Sequence, residues 1–313
     1  MSGEAFSPAS SVLVIGESLM DVVSSPSGID EHAGGSPMNV SVGLARLGCP
    51  VYLLTRIGTD ARGTVIADYL ASEGVPLVPG SIVEGHTSTA MATLDERGSA
   101  SYEFLIDWSL DFLGELHDSS IVHTGSIAAF LEPGASQLEA LLEAAAARHA
   151  IVTFDPNIRP SIIGSKADSL AVVERLAAMA TVVKVSDEDA LWLFGELTPD
   201  EVVDRLLAIG ATLAIVTLGA SGALLATSRH RVRLPGRRVS VADTIGAGDS
   251  FMSAVVQKLC ALLLSGVDAA AIVDGSALGQ SVLSDIGQFA ASCAAITVSR
   301  TGSNPPTMAE ALA

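Results

Sequence analysis

From Ile121 onward, short apolar runs and helical spacings alternate without interruption. IVHTG is followed by a helix predicted over 136–148, IVTFD by a helix over 166–179, and TVVKV by helical segments to about residue 208, before LAIVTLG begins. Continuous apolar runs of four or five residues mark strands buried on both faces. Parallel neighbours of that kind need a crossover, and the intervening helices supply it. The chain is thereby constrained to an α/β fold, a doubly wound and mostly parallel sheet with helices on both faces. The same reading predicts strands over 12–15 and 51–57 and helices over 36–47 and 60–73. It also predicts a hairpin at ALLATSRHRVRL and long helices over about 247–264 and 278–294.

Two stretches do not fit this layering. Residues 17–33 and 86–106 alternate in character, and the second is rich in Thr and Ser, with a turn at Asp95-Glu96-Arg97-Gly98. Such alternation predicts hairpins, and we assign both stretches to a small β-sheet lid on one domain spanning 1–313. Hydrophobic residues make up 49% of the chain but aromatics only 4%, so Ala, Val, Leu and Ile must build the core. Thirty-five acidic against 17 basic residues give a net charge of −18. A chain so charged repels nucleic acid and anionic membranes, and neither is expected as a partner. Any phosphate site must then be made locally, from backbone N–H groups and a metal. The three cysteines (49, 260 and 293) are far apart and form no CxxC. The opening MSGEAFSPASS has no basic n-region or long apolar stretch, and the best apolar run, 255–264, is too short to cross a bilayer. These features suit a reducing compartment, and a cytoplasmic location is expected.

No P-loop, dinucleotide fingerprint or nucleophile elbow is present. The six histidines (32, 86, 117, 123, 149 and 230) show no metal-ligand spacing. Gly248-Asp249-Ser250-Phe251 superficially matches a GDSL-type hydrolase with Ser250 as nucleophile, but it opens a late helix rather than following the first strand. The strongest signal is Asp243-Thr244-Ile245-Gly246-Ala247-Gly248-Asp249-Ser250-Phe251, between a strand-like VSVA and a long apolar helix. Glycines let backbone approach a ligand closely, and the N–H groups at a helix start attract an anion. Asp249, at that start, is placed to accept a proton, and phosphate beside a carboxylate base describes phosphoryl transfer. The plainer reading is a glycine-rich turn with a capping Asp. Gly34-Gly35-Ser36-Pro37-Met38-Asn39 similarly opens a helix, either as a cradle for a hydroxyl-rich ligand or as a turn with a cap. Asp21 follows the first strand, and Phe154 to Arg159 and Val216 to Gly222 end two others with polar or glycine-rich loops. Strand carboxyl ends are where open α/β sheets bind ligands, so one cleft is expected along that edge.

Together the glycine pair with its helix and DTIGAGDSF resemble the ribokinase-like, or pfkB, family of carbohydrate kinases. The resemblance runs from Val12 to about Met308. It implies a ribokinase-like doubly wound core with a β lid, using ATP and Mg2+ to phosphorylate a hydroxymethyl group. On this resemblance Asp249 is the base, and the backbone of Gly246, Ala247 and Gly248 is the anion hole. Asp21, Gly35 and Asn39 match positions that hold sugar hydroxyls, and Arg159 matches an arginine after the DPN segment of fructokinase-like and ketodeoxygluconate-kinase-like members. Lys184, Ser186, Thr217, Gly219 and Gly222 match the nucleotide side. Asp243, Ile245 and Gly302 match a monovalent-cation site in members that use potassium. The usual N-x-x-E metal motif is replaced by Ser186 and Asp189, which leaves Asp189 or its neighbour Glu188 to face magnesium. Ser186 and the 297–306 tail resemble the fructokinase branch, so fructose is the leading substrate. Ketodeoxygluconate, ribose and a nucleoside are the alternatives within the family, and a non-catalytic sugar sensor is the alternative outside catalysis. The five arginines in 229–238 alternate in a hairpin and read as a solvated edge. A homodimer through the lid is expected, covering Met91, Leu94, Tyr102, Phe104 and Ile106.

Overall fold

The computed structural model describes residues 11–25, 28–94, 100–110 and 119–313. The Asp95–Gly98 turn and His117 lie outside the described residues. The amino-terminal part runs β1 (Val12–Ile15), β2 (Leu19–Ser25), β3 (Gly28–Gly34), α1 (Ser36–Arg46), β4 (Val51–Leu54), β5 (Ile57–Gly58), α2 (Ala61–Ser72), β6 (Ile82–Val83), β7 (Thr89–Leu94) and β8 (Ala100–Leu105). The regular part follows with β9 (Ile121–Gly125), α3 (Gly134–Ala147), β10 (Ile151–Asp155), α4 (Lys166–Met179), β11 (Val182–Ser186), α5 (Asp187–Phe194), α6 (Pro199–Ile209) and β12 (Leu213–Thr217). It closes with β13 (Ala223–Ala226), β14 (Arg231–Leu234), α7 (Ala247–Leu264), α8 (Ala269–Val273), α9 (Gln280–Val298) and α10 (Met308–Ala311).

The main sheet has the order β14-β13-β12-β11-β10-β9-β1-β4, parallel from β12 to β4 with β13 and β14 antiparallel at one edge. After β4 the chain returns to the other side of β1, so the topological switch lies between β1 and β9. Alternate residues divide the core: Val12 and Val14 pack with α1, α7 and α9, whereas Leu13 and Ile15 pack with α3, α4 and α6. This is the expected doubly wound arrangement. Helices α7 and α9 are long and apolar enough to cross a membrane by length and composition, and they pack together against the sheet.

The lid is a second sheet of order β3-β2-β7-β8. Both expected hairpins form, and β2 pairs with β7 in parallel to join them. Register places Asp21 beside His32 on β3 and Ala90 on β7, and Ala90 beside Phe104 on β8. Paired residues share a face. The other face carries Met20, Val22, Ala33 and Met91, which join the core, and Glu31, which pairs with Arg62 of α2. The face bearing Asp21 therefore opens toward the cleft.

One expected strand is absent. Residues 239–242 are irregular rather than a strand, tethered where Ala242 N–H donates to the Val298 carbonyl at 2.8 Å. Val239 and Val241 are 41% and 62% exposed, and Ile245 is 60% exposed. The apolar pattern that reads as a buried strand is an apolar wall facing solvent.

Candidate active site

The segment between β14 and α7 makes a sharp turn at Gly246, whose φ of 75° is left-handed and whose Cα lies against the Ser303 side chain. A side chain there is excluded by both conformation and space. Gly246 caps α7, so Ala247, Gly248 and Asp249 form its first turn, where N–H groups have no intrahelical acceptor. The Ala247 N–H makes a long 3.3 Å bond to the Thr244 carbonyl. The amides of Gly246 and Gly248 flank it.

Asp249 is 7% exposed. Ser36 Oγ donates to its Oδ1 at 2.6 Å and Asn39 Nδ2 to its Oδ2 at 2.8 Å. The two glycine-led helices found in the sequence thus meet at one carboxylate. Burial raises the Asp249 carboxyl above its ordinary value, against the pull of Ser36, Asn39, Lys184 and Arg159. Asn39, expected to hold a sugar hydroxyl, reaches the Asp249 carboxylate itself. Gly35 has φ 113°, and a Cβ there would stand 2.6 Å from the Glu17 carbonyl oxygen, so only glycine permits this approach of α1 to the β1–β2 link. Asp21 projects from the lid. Burial raises its carboxyl as well, with His32 and Arg159 acting in the other direction. Arg159 therefore lies within electrostatic reach of both Asp21 and Asp249. Asp21, Arg159 and Asp249, distant in sequence, are thereby gathered around one place.

Lys184 is buried beneath the first turn of α7. Its Nζ donates to Asp155 Oδ2 at 2.6 Å and would stand 3.3 Å from a Cβ on Gly248. Burial alone lowers the ammonium, but Asp155, Asp189 and Asp249 outweigh it and hold Lys184 protonated. The same burial raises Asp155 to about 6 and, with Lys184, lowers His123 to about 3. Asp155 Oδ1 is buried without a protein partner. Asp155 carries no assigned role in the sequence reading; its signal was the strand-ending DPN beside a lysine-bearing neighbour strand.

Ser186 and Asp189 form a capping box on α5: the Asp189 N–H donates to Ser186 Oγ at 2.9 Å, and the Ser186 N–H to Asp189 Oδ2 at 3.0 Å. Asp189 Oδ1 accepts the Ile158 N–H at 2.8 Å. Asp189 Oδ1 thus braces the loop that carries Arg159, while Oδ2 closes the cap of α5. Thr217 ends β12, and Gly219 and Gly222 follow with φ of 50° and 104°. Gly222 lies against the chain at Leu234 to Gly236, which leads on to the exposed apolar residues 239, 241 and 245. Asp243 accepts N–H groups from Ile245 at 3.0 Å and Gly302 at 2.9 Å, which brings these three residues together and lowers its carboxyl. Ser250 is 2% exposed, and Thr297 Oγ1 donates to its Oγ at 2.8 Å. It is a packing residue beneath the site, which removes the hydrolase alternative.

Comparison with known proteins agrees with this geometry. The family model for pfkB family carbohydrate kinases matches residues 9–310. A fructokinase of Rhizobium leguminosarum bv. trifolii is 33% identical over 262 residues, which cover 79% of each chain. Among solved structures, a fructokinase with bound ATP from Xylella fastidiosa superposes with a TM-score of 0.84 at 28% identity, covering 97% of both chains. A fructokinase double mutant from Vibrio cholerae O395, in a form binding fructose, ADP and potassium ion, superposes with a TM-score of 0.76 at 27% identity over 94% of both. With its doubly wound sheet, its lid and the DTIGAGDSF turn, the chain belongs to the pfkB family of carbohydrate kinases.

Proposed function

We propose that this chain is an ATP-dependent fructose kinase, with Asp249 as its base. The observation that carries the chemistry is the placement of Asp249, buried in the first turn of α7, held by Ser36 and Asn39 and within reach of Arg159. The fructokinase relatives support the choice of sugar.

In the reaction a hydroxymethyl oxygen of the sugar attacks the γ-phosphorus of ATP. Its proton passes to Asp249, the new P–O bond forms, and the bond to the bridging oxygen breaks to release ADP. A carboxyl raised by burial is a stronger base than an exposed aspartate, and its ionised form is the one that accepts the proton. The Gly246 and Gly248 amides and the α7 dipole face the charge that develops on the transferred group. Lys184 beneath them adds fixed positive charge. Asp21 and Gly35, with the free face of Asn39, position sugar hydroxyls. Arg159 stabilises charge between Asp21 and Asp249. On the nucleotide side, Thr217, Gly219 and Gly222 hold the phosphates and ribose. Val239, Val241 and Ile245 provide an apolar wall suited to a purine ring.

Among the described residues no cluster of three or more metal-binding side chains exists. A magnesium ion, which takes phosphates and water readily, fits such a sparse site. The unpartnered Asp155 Oδ1 is the oxygen suited to hold it, whereas Asp189 is already engaged by two N–H groups. When bound, Mg2+ neutralises charge on the phosphates. Asp243 with the backbone of Ile245 and Gly302 is our assignment for a potassium site.

We also place the enzyme in the cytoplasm, where its three buried cysteines stay reduced. The exposed part of the lid around Tyr102 and Leu105 is our candidate for a dimer contact, whereas Met91, expected in it, packs against the core instead; light scattering that returns only monomer removes it. ADP release with ATP across a panel of fructose, other sugars, ketodeoxy acids and nucleosides tests the substrate. The highest kcat/KM on fructose supports this reading, and a preference for a ketodeoxy acid, whose carboxylate suits Arg159, replaces it.

A further inference from the structure

We propose that Glu17 is a positioning residue for phosphoryl transfer, tying both stems of the lid to the peptide of Ala128 at the switch point of the sheet.

Glu17 lies in the three-residue link between β1 and β2, at the carboxyl end of β1. Across the switch, β9 ends at Gly125 and passes into a tight turn of helix over Ser126–Ala129. Ser126 adopts φ 58°, a conformation disfavoured for serine. The Ala128 N–H donates to Glu17 Oε2 at 3.1 Å. The carbonyl of the same Ala128 accepts from Trp108 Nε1 at 2.9 Å. Trp108 sits just after β8, on the chain leaving the lid, and its ring packs directly on Gly134, where a Cβ would collide with the indole. The chain entering the lid and the chain leaving it are therefore fastened to one residue of the core.

The link also supports the site. The Glu17 carbonyl is the atom against which Gly35 rests. Gly35 opens α1, whose Ser36 and Asn39 hold Asp249, and Asp21 is four residues beyond Glu17 on the lid. A shift of this link would displace the hinge, the Asp249 clamp and Asp21 together. Nothing in the proposed transfer of the proton or the phosphoryl group employs Glu17, and yet a carboxyl is kept here, 3% exposed.

The groups facing it explain how it works. Glu17 accepts from Ala128, from its own N–H and from Ser126, all favouring the ionised form, while burial and the charge of Asp249 on α7 oppose it. Asp249 in turn feels the charges of Lys184 on β11 and Arg159 after β10. The balance leaves the carboxyl at about 7. Ionised, it is a full acceptor for the Ala128 N–H and it makes Asp249 more basic. Protonated, it loosens the hinge. Hydrogen bonds to an ionised acceptor are about twice as strong as neutral ones, so the sugar-dependent kcat/KM should rise with pH through this range.

The catalytic readout rests on the sugar-kinase reading, but a spectroscopic one does not. The chain has two tryptophans, and Trp192→Phe leaves Trp108 as the sole reporter at the hinge. In that background Trp108 emission should titrate near pH 7. The isosteric Glu17→Gln should abolish the titration. With fructose and ATP, the same variant should lose the step near pH 7, keep the limb of Asp249, and raise the KM for fructose roughly fivefold to tenfold, as expected for a weakened charged hydrogen bond. The KM for ATP should change less than twofold. A Trp108 titration that persists in Glu17→Gln, or a fructose KM and pH profile that match the parent, overturns the proposal. A parent protein that turns over no sugar defeats the kinase reading alone, and the fluorescence titration still decides the role of Glu17.

Discussion

At the residue scale the site depends on carboxylates kept out of water for different purposes. Asp249 is raised chiefly by burial, and proton abstraction needs its ionised form. Lowering the pH through its raised value must therefore switch activity off. The kcat/KM profile should show an acid limb of unit slope at a pH above the ordinary aspartate range, and a flat profile down to pH 4 would contradict a buried base. Asp155 and Lys184 form a different kind of pair, 2% and 4% exposed at their side chains and 2.6 Å apart. Removing one partner of a buried pair leaves an uncompensated charge, so Lys184→Met should cost about 3–5 kcal/mol of stability. Lys184→Met with Asp155→Leu should recover most of that stability, by urea denaturation, while activity stays lost. Recovery of activity in the double variant would show that the pair is only a core feature.

At the scale of elements, the Asp249 carboxylate is held between two helices. α1 supplies Ser36 and Asn39, and α7 supplies Asp249. They pack so closely that a Cβ on Gly43 would stand 2.5 Å from Ser253 Oγ. Gly43→Leu should wedge the helices apart and loosen the clamp on Asp249. An overpacked core contact of this kind costs about 1–3 kcal/mol, and kcat should fall with it. Ser253→Gly in the same chain should restore part of both, as read by thermal unfolding and turnover. The regular βα units were legible because doubly buried strands such as Ile121–Gly125 read as unbroken apolar runs, and caps such as Asp60 and Ser165 mark helix starts. β3, GIDEHAG, was legible only as part of a hairpin-like stretch, since most of its side chains are exposed and its polar pattern carries no burial signal. Residues 239–242 failed as a strand for the opposite reason: valines there are exposed for contact rather than buried for packing. The glycine-led turns of the site could be read locally. The Lys184–Asp155 pair and the bond from Ala128 to Glu17 join residues 29 and 111 positions apart, and no local pattern announces them.

For the whole molecule, the proposed phosphate site of a strongly acidic chain is made by local means. Helix dipole, glycine amides and one buried lysine gather at the carboxyl edge, while surface arginines such as Arg231 and Arg233 are spent on Asp200 and Asp204 of α6. The lid stands over that edge on stems fastened at the switch point, so closing it shields the transfer from water, which would otherwise accept the phosphoryl group. The central claim is that Asp249 takes the sugar proton inside this enclosure. Its most direct test is Asp249→Asn, assayed for ADP formation with ATP, Mg2+ and fructose, with sugar binding followed by calorimetry. The account predicts that fructose still binds while kcat falls by about 10²–10⁴, the range supplied by a positioned general base. Turnover within tenfold of the parent, with the fold intact, would show that the proton leaves by another route.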